Sequence, residues 1–258
     1  MAVKLFIGTS GWMYKHWNKD FFPPEVKKKD WLPYLATKFN TVELNTTFYH
    51  FPKAQTFENW AKQVPKGFVF TSKLNRVFTH FLRLKLNDDD WNSLKFSVEN
   101  TNLLRPHLGP VLIQCPPNLK FDLGLLSDFC QRLRTEFNKN AFALEFRNKS
   151  WLKPETYDTL KKNKLIFVIS DSPRWPTETI RTDSSLYIRF HGQPKLFSSK
   201  YKNSTLVNWV DRILDLKPRK IFAYFNNDDN ANAPKNAEFF RSVLFKQLEI
   251  NNGAVQAG

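Results

Sequence analysis

Eight times along the chain a short run of Val, Ile, Leu and Phe stops abruptly in polar or charged residues. The clearest case is AFALEFRNKSW at 141–151, where the apolar run ends in Glu145 and Arg147 and a turn then leads to Trp151. Charges are rarely set at the end of a core strand without a partner or a task. The other runs begin at Lys4–Gly8, Thr41–Asn45, Phe68–Lys73 and Pro110–Gln114, and continue at Leu165–Ser170, Leu186–Phe190 and Lys220–Phe225. Between them lie stretches with helical spacing of apolar residues: Trp31–Phe39, Thr56–Val64, Asp88–Leu104, Leu123–Phe137, Pro154–Lys164, Ser204–Leu216 and Pro234–Leu248.

Such alternation implies parallel strands joined by crossover helices, an α/β fold. Eight units in about 250 residues match a (β/α)8 TIM-like barrel. A doubly wound open sheet is the rival, but it normally shows a Gly-rich phosphate turn. Neither GxGxxG nor GK[ST] at P-loop spacing occurs. One segment breaks the pattern: Ser172–Ser185 contains Pro173 and Pro176 and has no helical period, so the helix after the sixth strand is expected to be short or missing. No repeat or linker divides the chain. A single domain is expected over 1–250, with 251–258 a frayed C-terminal tail.

The 258 residues include 25 Phe, 8 Trp and 7 Tyr, ample material for one large core. No apolar run approaches the roughly 20 residues needed to span a bilayer, and the apolar stretch near the N-terminus is too short for a signal peptide. A cytoplasmic location and no membrane partner are therefore expected. Cys115 and Cys130 form no CxxC pair and read as small buried hydrophobes. The net charge of +15 raises the prospect of a polyanionic partner, although the basic residues are spread along the chain.

If the barrel closes, the strand ends gather at one mouth, where barrel enzymes hold their reactive groups. Glu43, Glu145, Asp171 and His191 are the candidate catalytic residues. Candidate substrate-binding residues are Lys73, Arg147, Arg189, Asn45, Gln114, Asn226 and Asp228, with Trp12, Tyr14, Tyr49 and Trp151 as aromatic walls. Glycoside hydrolysis needs two carboxyl groups about 5–10 Å apart, one kept protonated. The competing reading for Glu145 is a buried ion pair with Arg147 or Arg189. His191 can act as general acid or base, whereas His16 and His80, on loops, are weaker candidates. Arg pairs with phosphate or carboxylate through two N–H donors, and Lys acts as a point charge.

No cofactor motif is present. The donors Glu43, Glu145, Asp171 and His191 leave room for a divalent metal, but HxH, HExxH and DxD spacings are absent and the nearby cations oppose one. The expected function is an enzyme, a hydrolase by first preference, acting on a small anionic, phosphorylated or sugar-bearing molecule. The alternatives are a nucleic-acid-binding or repair-like protein and a noncatalytic ligand-binding protein.

Seven ordered motifs also carry a family resemblance. GTSGW at 8–12 with Tyr14 and Trp17, VELNTTFY at 42–49, LGPVLIQCPP at 108–117 and EFRNKSW at 145–151 are four of them. DSP at 171–173, YIRFHG at 187–192 and YFNND at 224–228 complete the set. Together they resemble the DUF72 (YecE-like, UPF0759) family from about residue 4 to 240. Cys115 stands where that pattern usually has Leu. The resemblance implies a TIM-barrel-like fold and brings no catalytic role with it.

Overall fold

The computed structural model describes residues 2–252. Eight parallel strands close into a barrel in sequence order: β1 Lys4–Ser10, β2 Thr41–Leu44, β3 Val69–Lys73, β4 Leu108–Gln114, β5 Phe142–Glu145, β6 Ile166–Asp171, β7 Ser185–Phe190 and β8 Lys220–Phe225. β8 closes on β1, with Lys4 opposite Lys220 and Thr9 opposite Phe225. The returning chain forms α1 Trp31–Lys38, α2 Thr46–Tyr49, α3 Ala54–Lys62, α4 Asp88–Asn102, α5 Leu123–Glu136, α6 Pro154–Lys162, α7 Asn203–Leu214 and α8 Asn232–Asn252.

Local chemistry starts several of these helices where they are needed. Asn87 and Asp90 form a reciprocal capping box at the start of α4, where three aspartates also meet the positive end of the helix. Asp122 accepts from the Leu125 amide at 3.0 Å and caps α5. From there Leu126, Phe129, Cys130 and Leu133 recur on one buried face. Pro154 occupies the first turn of α6, where its missing N–H costs nothing.

Alternation along each strand sorts the side chains into two cores. Phe6, Leu112, Ala143, Ile166, Val168, Tyr187, Phe222 and Tyr224 fill the barrel interior. The intervening positions face the helices and join the larger outer core, as Phe190 does against Trp209 and Phe240. Close approach is needed between β1 and β2, since a Cβ on Gly8 would run into the Thr41 carbonyl oxygen.

As expected from Pro173 and Pro176, no helix follows β6. The extended segment 172–184 lies along the strand instead and supplies hydroxyls where a helix would supply a face. Thr182 Oγ1 accepts from the Phe167 amide at 2.8 Å and donates to the Leu165 carbonyl at 2.7 Å. Thr177 Oγ1 accepts from the Ser170 amide at 3.0 Å. Backbone groups of β6 are thereby satisfied without a neighbouring layer. At the other end of the chain, α8 runs past the expected end at Leu248 to Asn252. Residues 253–258 of the expected tail lie outside the described residues. Among the described residues no helix is long and apolar enough to cross a membrane.

Candidate functional site

The inward-facing ends of the strands meet at the C-terminal mouth as a ring of polar groups, with registers that bring partners side by side. Ser10 lies opposite Glu43, Gln114 opposite Glu145, and Ser170 opposite Arg189. Sequence positions far apart are thus placed within hydrogen-bond reach.

Arg189 is the hub. Its Nε donates to Glu43 Oε2 at 3.0 Å and Nη2 to Glu43 Oε1 at 2.7 Å, a two-pronged pairing, while Nη1 donates to Glu145 Oε2 at 2.6 Å. Glu145 Oε1 accepts from Arg147 Nε at 2.7 Å and from Gln114 Nε2 at 3.1 Å. Glu43 is completed by the hydroxyls of Tyr187, at 2.7 Å, and Ser10. Both glutamates are fully buried, and protein donors, four bonds to Glu43 and three to Glu145, stand where water would otherwise be. Burial alone would raise the Glu145 pKa, but Arg189 and Arg147 outweigh it and hold the carboxyl well below the usual carboxylate range. Burial likewise works against the Arg189 charge, and the carboxylates of Glu43 and Glu145 more than reverse it.

His191 sits just above this hub. Its Nε2 lies 3.4 Å from Arg189 Nη1 and its Nδ1 lies 3.2 Å from the Asn226 amide. A guanidinium only donates, so Nε2 accepts. Burial, with Arg189 next, keeps the His191 pKa well below the ordinary imidazole value. The ring of Trp175 meets His191 edge to face at 5.2 Å, and the same indole carries the Arg147 guanidinium 3.8 Å over its face.

Above the hub opens a cavity of about 480 Å³. Lys73, Gln114, Arg147 and Arg189 line its depth, and Tyr14, Asn45, Phe48, Tyr49 and His80 line one side. Phe197, Asn226, Asp228 and Asp229 line the other. The amine of Lys73 lies 3.6 Å over the Phe48 ring centroid. Gly11, at φ +90°, lets Tyr14 fold back so that its hydroxyl donates to the Ser10 carbonyl at 2.6 Å. Asn45 Nδ2 donates to Ser10 Oγ at 2.8 Å, tying the wall to the hub.

Of the residues expected at the site, twelve line this cavity or lie directly beneath it through the Glu43–Arg189–Glu145 hub: Glu43, Glu145, His191, Lys73, Arg147, Arg189, Asn45, Gln114, Asn226, Asp228, Tyr14 and Tyr49. Trp12 lines a smaller neighbouring cavity of about 270 Å³ that shares Tyr14, Asn45 and Tyr49 with the main one. Two residues are placed elsewhere. Asp171 lies opposite Phe190, the outward-facing parity, and its Oδ1 accepts from Gln193 Nε2 at 2.9 Å. Trp151 is buried away from the mouth, stacked on Phe146 at 4.6 Å and donating from Nε1 to the Leu119 carbonyl at 2.7 Å.

Four contributors had little sequence signal. Ser10 and Tyr187 are ordinary strand residues until their partner is known. His80 rides on a wide helical turn at Val77–Phe81, and Phe197 on the loop after β7. Neither segment has a period to read.

The four side chains that offered suitable metal donors in the sequence do not converge as a set, because Asp171 lies on the outward-facing parity. Among the described residues, His16, Asp228 and Asp229 bring three ligating atoms within 4.8 Å of one another at the surface. There the His16 Nε2 is already 2.8 Å from the Asp228 carbonyl oxygen.

The profile of the family described as "Protein of unknown function DUF72" matches residues 6–256. The chain belongs to the DUF72 family. Its match to the UPF0759 protein YunF of Bacillus subtilis is 26% identical over 272 residues, covering 93% of this chain and 94% of that one. The UPF0759 protein YecE of Escherichia coli K12 is 27% identical over 281 residues, covering 98% and 97%. A DUF72 crystal structure from Thermotoga maritima superimposes with a TM-score of 0.82 at 27% identity, over 93% of this chain and 99% of that one. A D-psicose 3-epimerase shares the barrel fold at a TM-score of 0.55 and 11% identity, covering 95% and 99%.

Proposed function

We propose that this DUF72 protein is an enzyme that takes a small anionic molecule, phosphorylated or carboxylated, into the cavity at the barrel mouth. One observation carries the reading: Lys73, Arg147 and Arg189 line the depth of the cavity while the carboxylates paired with the arginines, Glu43 and Glu145, lie beneath it, and Asp228 and Asp229 stand on one side. Arg189 is committed to Glu43 and Glu145, but Arg147 uses only its Nε on Glu145. Among the described residues the two Nη groups of Arg147 have no hydrogen-bond partner, and they form a fork suited to a phosphate or carboxylate. Because Arg147 rests on Trp175 and is tethered to Glu145, its geometry is set before a ligand arrives.

Hydrolysis, the first preference from sequence, draws its support from Asp228 rather than from the two buried glutamates. Both Glu145 oxygens are occupied and its carboxyl is held ionised, so it has no proton to give. Asp228 faces the cavity, and burial raises its pKa. Melting temperatures with inorganic phosphate, sugar phosphates, 2-oxo acids and uncharged sugars test the anion reading. An anion at a hundred times its Kd stabilises by about 2.7 kcal/mol. A rise confined to anions, and lost in Arg147→Gln, is expected; equal response to uncharged sugars, or no response to any anion, overturns it.

A second reading is favoured by one feature of the rim. The Arg76 guanidinium lies 5.4 Å from the ring centroids of both Tyr49 and Phe81, which are 55% and 65% exposed. Flat faces beside cations are the elements on which single-stranded bases stack, and the +15 charge would attract phosphates. Oligonucleotide affinity should then fall steeply with salt and weaken in Tyr49→Ala. Affinity unchanged between low and moderate salt removes this reading.

A further inference from the structure

We propose that Lys73 is a carbonyl-capturing amine, forming an imine with a small aldehyde or ketone that carries a carboxylate or phosphate. The inference rests on the anion-binding reading and names the substrate class of the same cavity.

Lys73 ends β3 with its side chain on the inward parity and is only 7% exposed. A lysine so placed for structure is paired with a carboxylate. Here the described residues offer Nζ neither a carboxylate within 4.0 Å nor a hydrogen-bond partner. Glu43 and Glu145, which could have served, are bonded instead to Arg189, Arg147, Gln114, Tyr187 and Ser10. What Nζ has instead is the Phe48 ring on one side and the cavity on the other. Burial, then the charges of Arg189 and Arg147, pushes the Lys73 pKa well below the ordinary lysine value. These are the conditions under which an amine keeps a lone pair near neutral pH and attacks a carbonyl.

The groups needed for proton movement stand beside it. His80 packs edge-on against the same Phe48 ring at 5.0 Å, and its Nδ1 is engaged by the Thr79 hydroxyl at 2.8 Å. Burial first, and then the nearby cationic side chains, brings the His80 pKa down to about 4, leaving a neutral imidazole in the cavity wall. The Nζ lone pair bonds to the carbonyl carbon, and the C=O pair moves onto oxygen, which gains a proton. The resulting carbinolamine loses that oxygen as water while Nζ gives up its protons and the C=N bond forms. His80 receives and returns the proton, one water leaves, and nothing is oxidised or reduced. The Arg147 fork holds the carboxylate or phosphate meanwhile.

Reductive trapping tests the inference. The full chain is incubated at neutral pH with glyoxylate or with dihydroxyacetone phosphate, reduced with sodium cyanoborohydride, digested and mapped by mass. Labelling concentrated on Lys73 is expected, about tenfold over surface lysines for each unit by which the amine's pKa is lowered. The arm that labels better identifies the anion. Lys73→Arg should lose the label yet keep its melting-temperature rise with inorganic phosphate; if that variant fails to fold, the wild-type map decides alone. Label spread evenly over surface lysines, with phosphate still stabilising, overturns the imine and leaves the anion site standing. No label on Lys73 and no stabilisation by phosphate or either carbonyl compound overturns both.

Discussion

Arg189 occupies a position that no other side chain could fill without leaving a charge exposed to a dry interior. Its fork joins Glu43 on β2 to Glu145 on β5, across the width of the barrel. Removing one partner from such a group strands the other, which costs about 3–5 kcal/mol. Arg189→Met and Glu145→Gln should each lower the denaturant midpoint by that order. Glu145→Gln combined with Arg147→Met should cost less than the sum of the single changes, because the two share an interaction. His191 adds a pH dependence. The unfolded chain protonates this imidazole near its ordinary value, about 6.5, whereas the folded chain resists until well below it. Below that pH the unfolded state binds more protons, so stability falls by about 1.4 kcal/mol per unit as pH drops from 6.5. Melting curves at pH 7.5, 6.5 and 5.5, roughly spanning that window, should show His191→Asn losing about one proton's share of the slope.

At the scale of strands and loops, backbone approach and hydroxyl partners are the sensitive points. Gly8→Ala forces β1 away from β2 and should destabilise by about 1–3 kcal/mol, as overpacking does. Thr182→Val removes both hydrogen bonds that finish the outer edge of β6 and should cost about 1–3 kcal/mol through the unpaired Phe167 amide and Leu165 carbonyl. Equilibrium unfolding checks both. The strands were legible because each is an apolar run cut off by polar or charged residues, and the missing helix was legible from Pro173 and Pro176. The same period of two explains the misplacements. Counting from Arg189 places His191 inward, and counting from Val168 places Ser170 inward and Asp171 outward, so Asp171 was recoverable from parity. Trp151 follows the strand end but turns back under the helices, which no spacing reveals. The turns that carry Phe48 and His80 are one turn long each, too short for a helical pattern to register.

For the molecule as a whole, the +15 charge is dispersed, and the mouth is not its only basic hollow. A second cavity of about 460 Å³ includes Arg105, Lys139 and Lys220 beside Phe6 and Phe222, near the starts of the strands. The two ends differ in construction. At the far end, among the described residues, Arg105 donates to Asn102 at the end of α4 and to the loop groups of Lys139 and Asn140, with long bonds of 3.3 Å. At the mouth Arg147 is partly buried, its side chain 15% exposed, braced on an indole and tied to an ionised glutamate, and its Nη groups have no hydrogen-bond partner among the described residues. Preorganisation of this kind separates a binding site from a patch of surface charge. Crystals soaked in tungstate compare the two ends directly in one anomalous difference map. The strongest peak is expected at the mouth, within hydrogen-bond distance of the Arg147 Nη atoms. A peak confined to the Arg105–Lys139–Lys220 hollow, or density scattered over surface lysines with the mouth empty, would contradict it.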